Sequence, residues 1–226
     1  MRGQERSREA SNPADRTGEA APCIRTDRLS SKQLRVWKAI EAIVFAKDAS
    51  GRLRCPGLHS LWRWVEESGH VVQVELPDRR ARGDHQAGKF RLETVDPNGK
   101  KHIAAIRICL PVIDGALVRK RVRGVDRFIR FEGLGKMERY AEILGHELAH
   151  AVWALGDQSH ARLIGDLDRE ARQFDNLRRH AAHAKAWDQQ TQQHLKRIQA
   201  MTAGIEKPAE MAEEAIWREL RGRRRE

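Results

Sequence analysis

The chain has 226 residues, a mean hydropathy of −0.70, 33% charged residues and a formal net charge of +11. That length is enough to bury a real core, and one domain plus a tail is the simplest count. No run of about eighteen apolar residues occurs, so no membrane-spanning helix is expected. The three scattered cysteines, Cys23, Cys55 and Cys109, offer neither a C-x-x-C pair nor a disulfide framework.

Residues 1–30 are polar, charged and poor in large apolar groups, which predicts a disordered tail. They contain no apolar stretch of the kind a secretory signal needs, so the default location is the cytoplasm. Residues 31–226 are expected to form a single domain. Its first part, 31–68, reads as two amphipathic helices. One spans 31–47, with Leu34, Trp37, Ile40, Val44 and Phe45 on its apolar side and Ser30 or Ser31 as cap. The other spans 58–68, carries Leu61, Trp62, Trp64 and Val65, and ends near Gly69.

A β section, 71–131, follows. Strands are predicted at 71–76, 88–95 and 102–110, with Asp96-Pro97-Asn98-Gly99 as a turn between the last two, and a short fourth strand at 128–131. The expected arrangement is an antiparallel sheet. Much of the positive charge is concentrated within this section, where Arg119, Lys120, Arg121, Arg123, Arg127 and Arg130 face only Asp126. Such a cluster suits nucleic acid or an acidic substrate, or is a solvated loop. No membrane association is expected.

The strongest local signal comes next. His146-Glu147-Leu148-Ala149-His150 is an H-E-x-x-H motif inside a predicted helix, 138–155, whose only breaker is Gly145. Residues four apart share a helical face, so both imidazoles can reach one metal ion, with Glu147 beside them as a proton acceptor. From 159 to 221 nearly everything reads as helix, with apolar seams through Leu163, Leu167, Phe174 and Leu177 and through Leu195, Ile198 and Ile205. These seams predict a helical hairpin. His180, His183 and His194 are scattered there without the spacing of a second metal site.

The segment "YAEILGHELAHAVWAL" resembles the active-site helix of the zincin superfamily of metallopeptidases over about twenty residues. The resemblance implies an α+β fold, with an antiparallel sheet ahead of the active-site helix. It also implies a Zn2+ ion held by His146, His150 and a third ligand, with Glu147 as general base and a protein or peptide as substrate. The metzincin extension H-E-x-x-H-x-x-G-x-x-H is absent, since Trp153 and Gly156 occupy its glycine and last histidine positions. A gluzincin-like site would instead take a glutamate from a later helix. Glu170 follows His150 by twenty residues, a spacing similar to that of thermolysin-like enzymes. If the chain turns at Gly156, however, Glu170 would lie about 16 Å along the returning helix and overshoot His150, which is only about 9 Å below the turn. A fourth helix starting at Pro208, a residue suited to a first turn, would bring Glu213 level with His150. Glu213 is therefore the favoured third ligand, with Glu170, Glu214, Asp157 and His160 as alternatives. The competing function is a nucleic-acid-binding or regulatory protein that keeps a zincin-like core and uses Arg119–Arg130.

Overall fold

The computed structural model describes residues 23–79, 86–94, 102–115, 118–122, 125–129, 134–181 and 189–222. Within them the fold is mixed α+β, with six helices, a four-stranded sheet and a separate two-stranded one. In chain order the elements are β1 (Ile24–Arg25), α1 (Ser31–Val44), α2 (Pro56–Ser68), β2 (Val71–Glu75), β3 (Gly88–Thr94), β4 (His102–Ile108), α3 (Leu110–Asp114), β5 (Val118–Val122), β6 (Val125–Ile129), α4 (Lys136–Gly156), α5 (Gln158–Ala181) and α6 (Gln189–Gly222).

The two N-terminal helices start and stop where their chemistry dictates. Ser30 closes a capping box with Gln33, whose side chain accepts the Ser30 backbone N–H at 2.8 Å. Helix α2 begins with Pro56 in its first turn and ends at Gly69, whose φ of +71° suits a residue without Cβ. The two helices meet through Trp37 and Trp62, stacked at 5.4 Å between ring centroids. Both rings are buried, so this tryptophan cluster belongs to the core.

The main sheet has the strand order β1-β2-β4-β3. It is mixed, where the sequence predicted an antiparallel sheet. Helices α1 and α2 form a crossover that returns the chain in the same direction, so β1 and β2 run parallel. β4 then enters between β2 and β3, parallel to the former and antiparallel to the latter. β3 is left on the edge. β1 also corrects the predicted tail. Ile24 is buried, and the Cys23 carbonyl accepts the Val72 N–H at 2.8 Å, so order begins within the stretch expected to be disordered. Residues 1–22 lie outside the described residues.

The predicted fourth strand, 128–131, overlaps β6 at 128–129, and among the described residues β6 pairs with β5 alone, as a hairpin of its own. The basic segment therefore includes two short strands, with Arg119 opposite Phe128, Lys120 opposite Arg127 and Arg121 opposite Asp126. Arg123, Arg130 and the turn at 96–99 lie outside the described residues.

Helix α4 runs through the middle of the molecule. It packs against β3 and β4 on one side and against α1, α2 and α6 on others. This explains why Ala141, Ile143, Leu144, Leu148, Ala149, Ala151 and Ala154 are buried all round it. At Gly145 the helix packs closely on α6, and an added Cβ would lie 2.2 Å from the Ile216 Cδ1, so a larger residue there would make that side chain shift.

Helix α6 is continuous from Gln189 to Gly222 with Pro208 inside it. The sequence reading had broken this stretch into two helices at that proline. The proline lacks an N–H, which costs one intrahelical bond to the Gly204 carbonyl and about 3 kcal/mol in a helix interior. The helix persists because Ile205, Ala209, Ile216 and Leu220 are all buried and lie on one face that spans the proline. No helix among the described residues is long and apolar enough to cross a membrane.

Candidate metal centre

The middle of α4 and the middle of α6 bring the site together. His146 and His150, one helical turn apart on α4, turn their Nε2 atoms to within 3.1 Å of each other. Glu206 of α6 reaches the same point, its Oε2 3.3 Å from His146 Nε2 and 3.6 Å from His150 Nε2. These three side chains form a group that could hold a metal ion. A tetrahedral ion with bonds of 2.0–2.2 Å has ligand-to-ligand edges of about 3.3–3.6 Å. The two histidine–glutamate spacings fall within that range and the Nε2–Nε2 spacing lies just below it, and two imidazoles with one carboxylate suit a first-row metal.

The third ligand proposed from sequence, Glu213, occupies a different position. Its carboxylate accepts the Nδ1–H of His146 at 3.0 Å, on the far side of the ring from Nε2. This hydrogen bond fixes the tautomer that leaves Nε2 free to bind a metal. Glu213 is buried, while Glu206 is 34% exposed at the side-chain level and marks the solvent side of the site. The two glutamates are seven residues apart, two turns of α6, and so lie on the same face. Glu206 is not among the sequence candidates because a helix that starts at Pro208 leaves it outside that helix. The usable signal was the run Ile205, Ala209, Glu213, Ile216 and Leu220, which continues at helical spacing straight through the proline.

The other candidates serve elsewhere. Glu170 of α5 pairs with His194 of α6 at 2.6 Å, within the helical hairpin. Glu214 is exposed and pairs with Arg218 at 2.6 Å. Asp157 ends α4 and caps α5, accepting the Ser159 N–H at 2.8 Å and the Ser159 hydroxyl at 2.7 Å. Tyr140, remote from the motif histidines on sequence grounds, donates its hydroxyl to Asp114 at 2.6 Å. Burial and that carboxylate raise its pKa, which makes it a structural link rather than an acid.

Glu147 is buried between α4 and β3. An added Cβ on Gly88, the first residue of β3, would come within 2.2 Å of Glu147 Oε1. Only a glycine lets the edge strand begin directly against this carboxylate. Burial lifts the Glu147 pKa to about 8; the neighbouring His146 opposes the rise, and Glu206 and Glu213 add to it. Burial alone would lower the His146 pKa, but hydrogen bonds to Glu206 and Glu213 carry it well above 6.5. Glu206 moves the opposite way: its hydrogen bonds to His146 and His150 outweigh burial and hold it far below the usual carboxylate range. The cluster is thus a set of coupled titrating groups, with its acids and bases pushed apart. Phe90 of β3 stacks on the His150 ring at 6.0 Å between centroids and closes that side.

Comparison of the chain with protein-family models, with curated proteins and with solved structures found no match in any of the three.

Proposed function

We propose that this chain is a zinc-dependent metallopeptidase of zincin type, with His146, His150 and Glu206 as the metal ligands and Glu147 as the general base. The observation that carries this reading is the convergence of the two Nε2 atoms and the Glu206 Oε2 within 3.1–3.6 Å, with a buried glutamate on the same helix turn. A bound zinc would supply Lewis-acid polarisation of a substrate carbonyl and would lower the pKa of a water molecule.

The remaining chemistry belongs to the chain's own residues. Glu147 takes a proton from the attacking water on its carboxylate as the water oxygen bonds to the carbonyl carbon. As the carbon–nitrogen bond breaks, Glu147 gives that proton to the leaving nitrogen. A carboxyl with a pKa near 8 is suited to holding a proton between these two steps, and a dication nearby would draw it back toward neutrality. Glu213 keeps His146 oriented through Nδ1. β3 supports the same reading, because it is an edge strand that begins at the general base. An extended peptide can add to such an edge by backbone hydrogen bonds.

The test is Glu147→Gln measured beside wild type for zinc content and for cleavage of a fluorogenic peptide library. One zinc per chain in both proteins, with cleavage only in wild type, is the expected result. A folded, zinc-supplemented wild type that takes up no zinc would remove the basis of the proposal.

One observation favours a second reading, that of a nucleic-acid-binding or regulatory protein with a zincin-like core. The hairpin β5–β6 forms its own small sheet, and its register sets Lys120 opposite Arg127. Like charges at opposed positions weaken a hairpin by itself, and an anionic partner would relieve them. On this reading the chain binds a DNA duplex with an affinity that falls steeply with salt, and Arg119→Ser with Arg121→Ser flattens the slope.

A further inference from the structure

The two motif histidines are supported unequally. His146 has Glu213 on its Nδ1, whereas the Nδ1 of His150 is buried and has no hydrogen-bond partner among the described residues. A metal-bound imidazole ordinarily gives its second ring nitrogen to an acceptor, which sets the ring's orientation and strengthens it as a ligand. The His150 ring is clamped on one face by Phe90 but has nothing of that kind.

One other buried ring nitrogen among the described residues also lacks a partner, and that is Nε2 of His160. His160 lies in the first turn of α5, the helix that follows α4 directly and packs on it. Its backbone is anchored there because Asp157 caps the turn and accepts the His160 N–H as well as that of Ser159. Burial first, and His150 second, lower the pKa of His160, so its ring is neutral and one nitrogen can accept.

We infer that His160 is a positioning residue for His150, its Nε2 receiving the His150 Nδ1–H through one bridging water. This rests on the metal-site reading above. It makes both helices of the hairpin part of the site: α6 orients one ligand through Glu213 and α5 orients the other through His160. The usual signature of a buried water is two or more polar atoms, otherwise unpaired, around the same small space.

The experiment compares wild type, His160→Leu, His160→Gln and His146→Ala for zinc affinity by competition with a chelator, and for the melting temperature of the metal-free protein. His160→Leu is expected to weaken zinc binding about 10- to 100-fold, as losses of outer hydrogen-bond partners do, with little change in the metal-free melting temperature. His160→Gln, whose amide oxygen can accept, is expected to recover most of the affinity. Wild-type affinity in His160→Leu, with binding lost in His146→Ala, overturns the role of His160 and leaves the metal site standing. Equal weakening in the leucine and glutamine variants overturns it too. Failure of wild type itself to bind zinc overturns both readings.

Discussion

Two histidine–glutamate clusters that α6 helps to build look alike in composition and differ in what they can do. At the centre of the molecule, His146 is 3.0 Å from Glu213 and 3.3 Å from Glu206, with His150 completing the group. In the hairpin, His194 is 2.6 Å from Glu170, and Arg197 stands 3.7 Å from the same carboxylate. Both clusters are largely shielded from solvent. Only the first gathers three acceptor atoms at one point. In the second, the carboxylate is shared between a histidine and a guanidinium, so its charge is already answered. What marks the first cluster as a candidate metal site rather than a structural ion pair is convergence: a second imidazole one turn away brings a third ligand atom to the same point.

Metal binding provides the sharpest way to break that comparison. Glu206→Ala and His146→Ala each remove a converging atom, and both are expected to reduce zinc affinity by more than the roughly 100-fold that loss of an outer partner costs. Glu213→Ala is expected to fall within about 10- to 100-fold, because it leaves all three converging atoms in place. Glu170→Ala should bind zinc like wild type. Chelator competition on the four purified variants measures the whole series. Loss of zinc with Glu170→Ala, but not with Glu206→Ala, would reverse the assignment of the two clusters.

The pH dependence of the metal-free protein tests the central cluster in a second way. The Glu147 pKa rises from 4.5 to about 8 on folding, so the folded state binds more protons than the unfolded one between those values. Stability is therefore greatest below pH 4.5 for this group and declines as pH climbs to about 8. The raised His146 pKa acts in the same direction, its contribution being lost as pH rises through the folded value. Glu206 opposes both on the acid side: its lowered pKa gives stability that is lost as pH falls below 4.5. Metal-free protein should thus melt at its highest temperature on the acid side of neutrality. Glu147→Gln should flatten the decline by a few kcal/mol between pH 5 and 8. A melting temperature that rises steadily across that range in wild type would show that the cluster does not govern the profile.

Much of the central cluster was legible in the sequence, because H-E-x-x-H puts its two histidines and its acid on one helix, where spacing alone fixes their relation. Glu206, the third member of the group, was not, because its place depends on whether α6 continues through Pro208. Local propensity says stop there, and a proline at the start of a helix is more usual than one inside it. The buried stripe from Ile205 to Leu220 outweighs that preference, but its weight comes from packing on α4 at Gly145, which no local pattern reveals. The sheet was misjudged for a related reason. β2, β3 and β4 were visible from their own residues, but β1 lies in the expected tail, and the insertion of β4 between β2 and β3 is decided by what covers the two faces. The helical capping at Ser30 and the stop at Gly69 are local chemistry, and these ends appear where the sequence puts them.

A smaller effect tests how closely β3 is fitted to Glu147. Gly88→Ala puts a methyl group where Glu147 Oε1 and Ile143 Cγ2 now lie, at 2.2 and 2.8 Å. Either the strand moves outward or the carboxylate is displaced. An overpacked contact of this kind costs about 1–3 kcal/mol. Zinc affinity should change little, because none of the three converging atoms is touched, while peptide cleavage should fall. Unchanged cleavage with a lowered melting temperature would mean that the strand yields and Glu147 stays in place.

The smallest expected effect lies in the hairpin and returns to the comparison from its other side. Glu170→Gln keeps the shape of the side chain and one acceptor for His194, but removes the charge that Arg197 faces. Both Glu170 and His194 are shielded, with 14% and 13% side-chain exposure, so the pair is more than a surface contact. Arg197 is 64% exposed, and water can take over its partner's role at small cost. The balance should be a loss of about 1 kcal/mol or less in stability, read as a small drop in melting temperature. If the pair only braces α5 against α6, that drop should be the same with and without zinc. A larger drop in the zinc-loaded protein than in the metal-free one would mean that the hairpin's ion pair is coupled to the metal site, and that the two clusters on α6 act together.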